Sequence, residues 1–479
     1  MHVASANIPR RESLSMNQYS QLNAQSVRRH RIRRATDRPS LFSERLEDRR
    51  MLAVFTVTSL DFDVNLAGQL GLDNAIVLAN DTPGPDTIVF DPALFSTPRT
   101  IELPRQLRQI RDAVTIIGPG SHLLTLDAGL GTDGTENPPG QRDGWRIFDI
   151  RVDNILNPDT PEIEVAISGM TLTGAEIDEQ GGAILNAERL TLTDVVIDSN
   201  FAAEGGGIHT INDLTLIRSV VSNNTASRPT GALVGRGGGI FATGAFATLD
   251  ITFVDIEQST IFGNAAISQF SPGQVNASSG GGIHNESSSI LTIERSTISE
   301  NLANFGSAID NFGFLTLRDS TVALNVALRG QAIESSNTQV TAQLNNTIVA
   351  SNFDFDTGQQ GFDFSGQLGS LSTFNLIGSG NLLSGISNGV NGNQIGTSAN
   401  PIDPRLGPLV TNGGTTPTHR LLLGSPAIDR GSSTFTTDQR GAPFARNVDD
   451  LLTAGTGADI GAYELQDVTA GALIVDTLS

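Results

Sequence analysis

The chain has 479 residues and no cysteine, and every one of its 30 basic residues is an arginine. Composition therefore excludes disulfide staples, Cys metal sites, Cys nucleophiles and Lys-based Schiff-base chemistry. The net charge of −21 is unevenly placed: residues 1–50 hold 11 Arg and 5 acidic residues, a net of +6, which leaves −27 on the remainder. A body of that sign repels phosphates, so nucleic acid is not an expected partner.

Residues 1–53 are rich in Arg, Ser, Asn and Gln without apolar periodicity and read as a disordered basic segment. No stretch reaches the ~18 apolar residues of a membrane helix. The run Met51-Leu52-Ala53-Val54-Phe55 is cut short by Thr56, Thr58 and Asp61, so it does not make an ordinary signal peptide. Leu46-Glu47-Asp48-Arg49-Arg50-Met51-Leu52 resembles the LEPR-XLL-type tag of bacterial surface proteins, with Asp for Pro and Met for the first Leu. The resemblance implies export, to the cell surface or the extracellular space.

Residues 54–162 read as an N-terminal cap and first coils. Phe55-Thr56-Val57 is a strand, and Leu70 to Asn80 is a short helix with Leu72, Ile76 and Ala79 on one face. It would cap the open end of a stack. Thr87–Phe90, Thr100–Leu103, Val114–Ile117 and Leu124–Leu126 follow as strands. Gly71–Ile76, Asp86–Phe90 and Ile117-Gly118-Pro119-Gly120 together resemble the CSLREAI-type module that opens many bacterial surface β-helices, without its Cys and its Arg-Glu pair. Gly118-Pro119-Gly120 is a turn, since a phosphate loop needs a Lys.

Residues 163–374 carry a repeat. Leu291, Ile293, Ile298 and Asn301 recur 24 residues later as Leu315, Leu317, Val322 and Asn325. Three earlier copies end on Asn200, Asn224 and Asn264, and a degenerate one ends on Asn352. A Gly-rich bend followed by Ile precedes most copies, at Gly181, Gly205, Gly237, Gly280, Gly306 and Gly330. A fixed period of this length means stacked units, and apolar spacing of two means strands. The fold class is all-β: a right-handed parallel β-helix, the hand following from the rule for parallel crossovers. Asn200, Asn224, Asn264, Asn301, Asn325 and Asn352 are expected to form an internal amide ladder, and the Gly bends to need positive φ. The repeat marks resemble those of polymorphic outer membrane proteins, a family of bacterial adhesins, but lack that family's Phe. Insertions at Ala226–Arg236, Phe241–Asp250 and Ala265–Ser279 are the natural binding loops.

No cofactor is called for. Calcium has one candidate set, Asp354, Asp356 and Asp363, whose spacing fits no known loop.

Residues 375–465 hold five blocks in order: Asp403–Leu409, Asn412–His419, Gly424–Asp429, Thr437–Gly441 and Asp459–Glu464. They resemble the choice-of-anchor Q domain, which closes extracellular β-helices and precedes a surface anchor. The resemblance implies a C-terminal closing domain. None of the family's anchors follows Glu464, so another anchoring route or release is expected. The tail 466–479 repeats the character of Val54–Leu60, either as the opening strand of a second unit or as an addition to a sheet edge. His419 and Asp429 read as structural.

β-Helices also host pectin-cleaving enzymes, so catalysis has to be weighed. The residue after each bend Ile should point outward, giving the column Leu185, His209, Phe241, His284, Asp310, Glu334. Asp310 and Glu334 one rung apart would suit a retaining glycosidase, with His284 one rung beyond. Against this, no Arg accompanies the column, the Lys of pectin hydrolases is missing, His209 and His284 are too far apart to share a metal, and no Gly-x-Ser-x-Gly elbow occurs. The expected function is thus a non-enzymatic surface or matrix protein, adhesin- or stalk-like, meeting glycans or other cell-surface molecules. The alternative is a polysaccharide-processing enzyme using His284, Asp310 and Glu334.

Overall fold

Apolar residues two apart favour strands, and a chain that pairs with itself only after a full coil must pair in parallel. The computed structural model describes residues 52–129, 144–152, 162–228, 234–244, 251–268, 278–335, 341–355, 363–448 and 457–466. Most of its strands lie in four long parallel sheets wound by successive coils into a right-handed β-helix. Among the described residues sheet I has ten strands, sheet II eleven, sheet III nine and sheet IV six. One coil runs through Leu214–Ile217 in sheet I, Val220–Ser222 in sheet II, Thr225–Arg228 in sheet IV and Ile240–Ala242 in sheet III, then re-enters sheet I at Thr252–Glu257.

The sequence offset is the sheet register. Leu291 pairs with Leu315, Ile293 with Leu317 and Ile298 with Val322. The inward residues of sheets I, II and III fill one continuous core, in which Leu214, Leu216, Val254, Leu291, Ile298, Leu315 and Val322 are fully buried. Sheet IV is the face that periodicity did not reveal. Four of its six described strands, Phe201–Ala202, Leu302–Ala303, Val326–Ala327 and Phe353–Asp354, are two residues long, too short to display a period.

Two corners repeat. Between sheets II and IV, Ser199, Asn223, Gly263, Glu300, Leu324 and Ser351 take positive φ, and the next residue is the ladder Asn. Between sheets I and II, Arg218, Gln258, Arg295 and Asp319 do the same before a buried Ser. Their hydroxyls form a second ladder: the Ser219 amide donates to Ser259 Oγ at 3.0 Å and the Ser259 amide to Ser296 Oγ at 3.1 Å. Gly181, Gly205, Gly237, Gly280 and Gly306 adopt the expected positive φ. Gly330 does not; it is small because a Cβ there would stand 2.8 Å from the Phe305 ring.

The N-terminal cap is the expected helix, α1 (Leu72–Asp81), which buries Leu72, Ala75, Ile76 and Ala79 over the first coil. Asp73 at its start is buried and held by Arg105 at 2.8 Å and Arg108 at 3.4 Å. The basic segment 1–51 and the tail 467–479 lie outside the described residues.

The other end differs from the 374/375 boundary read from the repeat. Coils continue past it: Leu376–Ile377 pairs on Ile348–Ala350, and Gln394–Ile395 pairs on Leu376–Ile377. The period fades there because the coils change length, with offsets of 28 residues from Ile348 to Leu376 and 18 from Leu376 to Gln394, not because the stack stops. The segment after Ile402 then turns back and clasps the outer face of sheet II. Thr416 Oγ1 donates to the Gln258 carbonyl at 3.0 Å, Thr297 Oγ1 to Gln439 Oε1 at 2.6 Å, and the Ala462 amide to Thr321 Oγ1 at 3.0 Å. Farther along the same face Ile348, Ala350 and Leu376 pack on Leu421, Ala427, Ile428 and Ile460. The segment expected to close the rod therefore closes it from the side.

Two of its five blocks meet in a buried ionic knot. Arg440 pairs with Asp438 at 2.6 Å and donates to the Glu464 carbonyl at 2.7 Å, while Arg446 pairs with Glu464 at 3.2 Å. His419 is structural as expected, bonded to Ser299 Oγ at 2.9 Å and the Gly407 carbonyl at 2.8 Å, and Asp429 is fully buried.

Candidate functional site: the polar column of sheet III

The column has the register read from the sequence. Leu185 pairs with His209, His209 with Phe241, Phe241 with His284, His284 with Asp310, and Asp310 with Glu334. Its surroundings are different from expectation. Pointing away from the core did not mean facing solvent: His284 is 1% exposed and Asp310 5%. The Gly bend laps over the strand that follows it, so closely that a Cβ on Gly280 would lie 2.7 Å from the His284 Cβ. The column fills the space beneath that lap. His209, Phe241 and His284 stack with ring centroids 4.9 and 5.0 Å apart, and the exposed Phe312 continues the row at 5.6 Å.

His284 is held from both sides. Its Nδ1 lies 3.0 Å from Asp310 Oδ2 and 3.1 Å from Ser279 Oγ, and its Nε2 lies 3.2 Å from Glu286 Oε1. Burial would lower its pKa, but the hydrogen bonds and charges of Asp310 and Glu286 outweigh that and raise it. Glu286 is correspondingly lowered, first by its bond to His284. Arg236, from the neighbouring bend, reaches Glu286 at 3.4 Å. No Arg was expected beside the column as a base or substrate clamp; Arg236 stands beside it as the ion-pair partner of Glu286. Arg236 and Glu286 escaped the sequence reading because neither occupies the column; one stands on the bend before it and the other just after the strand.

Glu334 is pushed up to about 7 by burial and then by the Asp310 charge, and its Oε2 is buried with no hydrogen-bond partner. His209 is pushed down to about 3 by burial and by Arg146, and is neutral. The arrangement is an imidazole held between two carboxylates, of which Asp310 stands on the next rung.

The Asn ladder lies at the corner of sheets II and IV and is fully buried or nearly so at Asn200, Asn224, Asn264, Asn301, Asn325 and Asn352. Each Nδ2 donates to the Oδ1 of the next rung at 2.9–3.0 Å, and that Oδ1 also accepts the backbone amide of the rung before it. The ladder ends on Asp363, whose Oδ1 accepts from Asn352 Nδ2 at 2.8 Å and whose Oδ2 accepts the Ser379 amide at 2.7 Å. Asp363, one of the three acids of the calcium candidate set, is therefore the last rung of the ladder. Asp354 is buried in a sheet IV strand, and Asp356 lies outside the described residues. Among the described residues no group of three or more His, Asp or Glu is placed to hold a metal. The insertions at 229–233, 245–250 and 269–277 also lie outside them, and no described helix is long and apolar enough to cross a membrane.

No protein-family model matches the chain, and no curated protein does. Among solved structures it is similar to pectate lyase Pel9A, with a TM-score of 0.35 at 13% identity over 87% of this chain and 96% of that one. It is also similar to the A-module of the Azotobacter vinelandii mannuronan C-5 epimerase AlgE6, with a TM-score of 0.24 at 13% identity over 71% of this chain and 98% of that one. The likeness is one of stacked parallel coils and carries no residue-level correspondence.

Proposed function

We propose that the chain is an exported, non-catalytic β-helix, a rigid adhesin- or stalk-like element of a cell surface or matrix that meets glycans or other surface molecules by binding alone. The observation that carries this reading is the sealing of the acid–base column. A glycosidase needs both carboxyls within reach of the scissile bond, whereas His284 and Asp310 are packed under the Gly280 and Gly306 bends. The LEPR-XLL-like and choice-of-anchor-like tracts support export.

The polysaccharide-processing alternative draws on one observation. Glu334, pushed up to about 7 beside Asp310, has the raised pKa that a general acid requires. Asp310 would have to be uncovered before the pair could act. A glycan array on the purified full chain, paired with a reducing-sugar release assay on the same glycans, separates the two. Binding without release is expected. Release that disappears in Asp310→Asn and in Glu334→Gln would replace this proposal with the enzymatic one.

A further inference from the structure

The two ends of the rod are built differently. The N-terminal end is sealed by helix α1 and by the buried rings of Phe62 and Phe95. Among the described residues the C-terminal end has no such cover, because the described part of the segment that follows Ile402 lies along the flank. Leu383, Ile386 and Ile395 are only half-buried over the last of the core. Around them Leu371, Leu382 and Val390 are exposed at 73%, 51% and 52%. The outermost strands there, Leu382–Ser384 in sheet III and Gln394–Ile395 in sheet II, each pair on one side only among the described residues. An apolar end with unpaired strand edges is a surface that pairs with other chains unless it is covered.

Charge selects the occupant. Residues 364–402, which build this end, contain no Asp, Glu, Arg, Lys or His, in a chain of net charge −21. Two copies approaching side by side bring acidic bodies together, and like charges repel. Two copies approaching through residues 364–402 do not. Head-to-tail stacking is blocked by helix α1, so the neutral end has only its own counterpart to meet, as in a two-fold isologous contact. We propose that this end is a self-association surface through which two copies of the chain join end to end into a rod of double length, with Leu371, Leu382 and Val390 at its centre. The inference does not depend on whether the column of sheet III is catalytic.

Sedimentation velocity of the full chain over a wide concentration range tests it. A reversible dimer is expected, and Leu382→Arg combined with Val390→Glu should weaken it by more than about tenfold, because each places a charge in a contact that excludes water. Both side chains are largely exposed in one copy, so the melting temperature of the variant should stay that of the wild type. The absence of cysteine allows single labels: spin labels on Val390→Cys should lie close together in the dimer, and those on Asp81→Cys, on helix α1, far apart. A chain that stays monomeric at every concentration overturns the proposal. So does a dimer in which the Asp81→Cys labels lie as near as those on Val390→Cys, which means side-by-side contact. Dimerisation that survives the double variant but disappears on deleting 467–479 overturns it as well, in favour of the tail.

Discussion

Asn352 donates through Nδ2 to Oδ1 of Asp363 at 2.8 Å, so a ladder of neutral amides ends on a buried acid. Burial pushes the Asp363 carboxyl from its ordinary 3.8 up to about 7, despite its N–H donors. Glu334 and Glu464 are pushed from 4.5 to about 7, also chiefly by burial. A carboxyl whose folded pKa lies above its unfolded one favours the fold at acid pH and loses that contribution as pH rises towards the folded value. His284, raised in the folded state, acts in the same direction. His209, lowered to about 3, opposes them, since its unfolded form binds a proton below its ordinary 6.5. The melting temperature is expected to be higher at about pH 5 than at about pH 8, and Glu334→Gln and Asp363→Asn should each narrow the gap. Thermal scans at the two pH values check this; a gap of opposite sign would show that those carboxyls are ionised in the fold.

Asn301 accepts from the Asn264 side chain and donates to Asn325 and to the Ile261 carbonyl, with no exposed surface. Asn301→Leu strands buried partners on both sides and should destabilise by about 3 kcal/mol, a few lost hydrogen bonds' worth. Asn301→Asp keeps the acceptor but not the donor and should fall between. Denaturant titrations of the three proteins rank them, and a Leu variant as stable as the wild type would be incompatible with an internal ladder.

Much of this fold was legible in the residues themselves. Leu at spacing two with Asn at a fixed offset specified strands, register and ladder together, because one coil must repeat whatever its neighbour needs. The cap helix was legible from Leu72, Ile76 and Ala79. Exposure was not: the column after each bend Ile was placed on the right face and at the right rung, yet how closely the Gly bend folds back over the following strand and buries it is not encoded by periodicity. Arg236 and Glu286 were missed for the same reason. Asp363 was read by its acidity, because its place opposite Asn352 comes only 11 residues on, outside the repeat period.

His284 and Asp310 form a buried pair at 3.0 Å, ionic when the imidazole is protonated. Removing one partner of such a pair leaves the other uncompensated and costs about 3–5 kcal/mol. Asp310→Ala and His284→Ala should each be strongly destabilising, and the double variant much less than their sum. A double-mutant cycle measured by denaturation gives the coupling. Additive effects would mean that the two side chains act separately.

Arg446 ties the C-terminal segment to itself and to the rod. It is buried, pairs with Glu464 at 3.2 Å, and lies 3.5 Å from Asp319 on the corner between sheets I and II. Asp319, raised by its own burial, is held down in part by that guanidinium. Arg446→Met leaves Glu464 and Asp319 buried without their cation, a loss of about 3–5 kcal/mol. Because the core of sheets I to III does not include Arg446, the damage should fall on the clasp and not on the coils. The expected result is faster limited proteolysis between residues 403 and 466, together with faster amide exchange of Ala462, whose N–H bonds to Thr321 Oγ1. Exchange of the Leu291 and Leu315 amides in sheet I should stay slow. Uniform acceleration across both would show that the flank segment and the β-helix unfold as one cooperative unit.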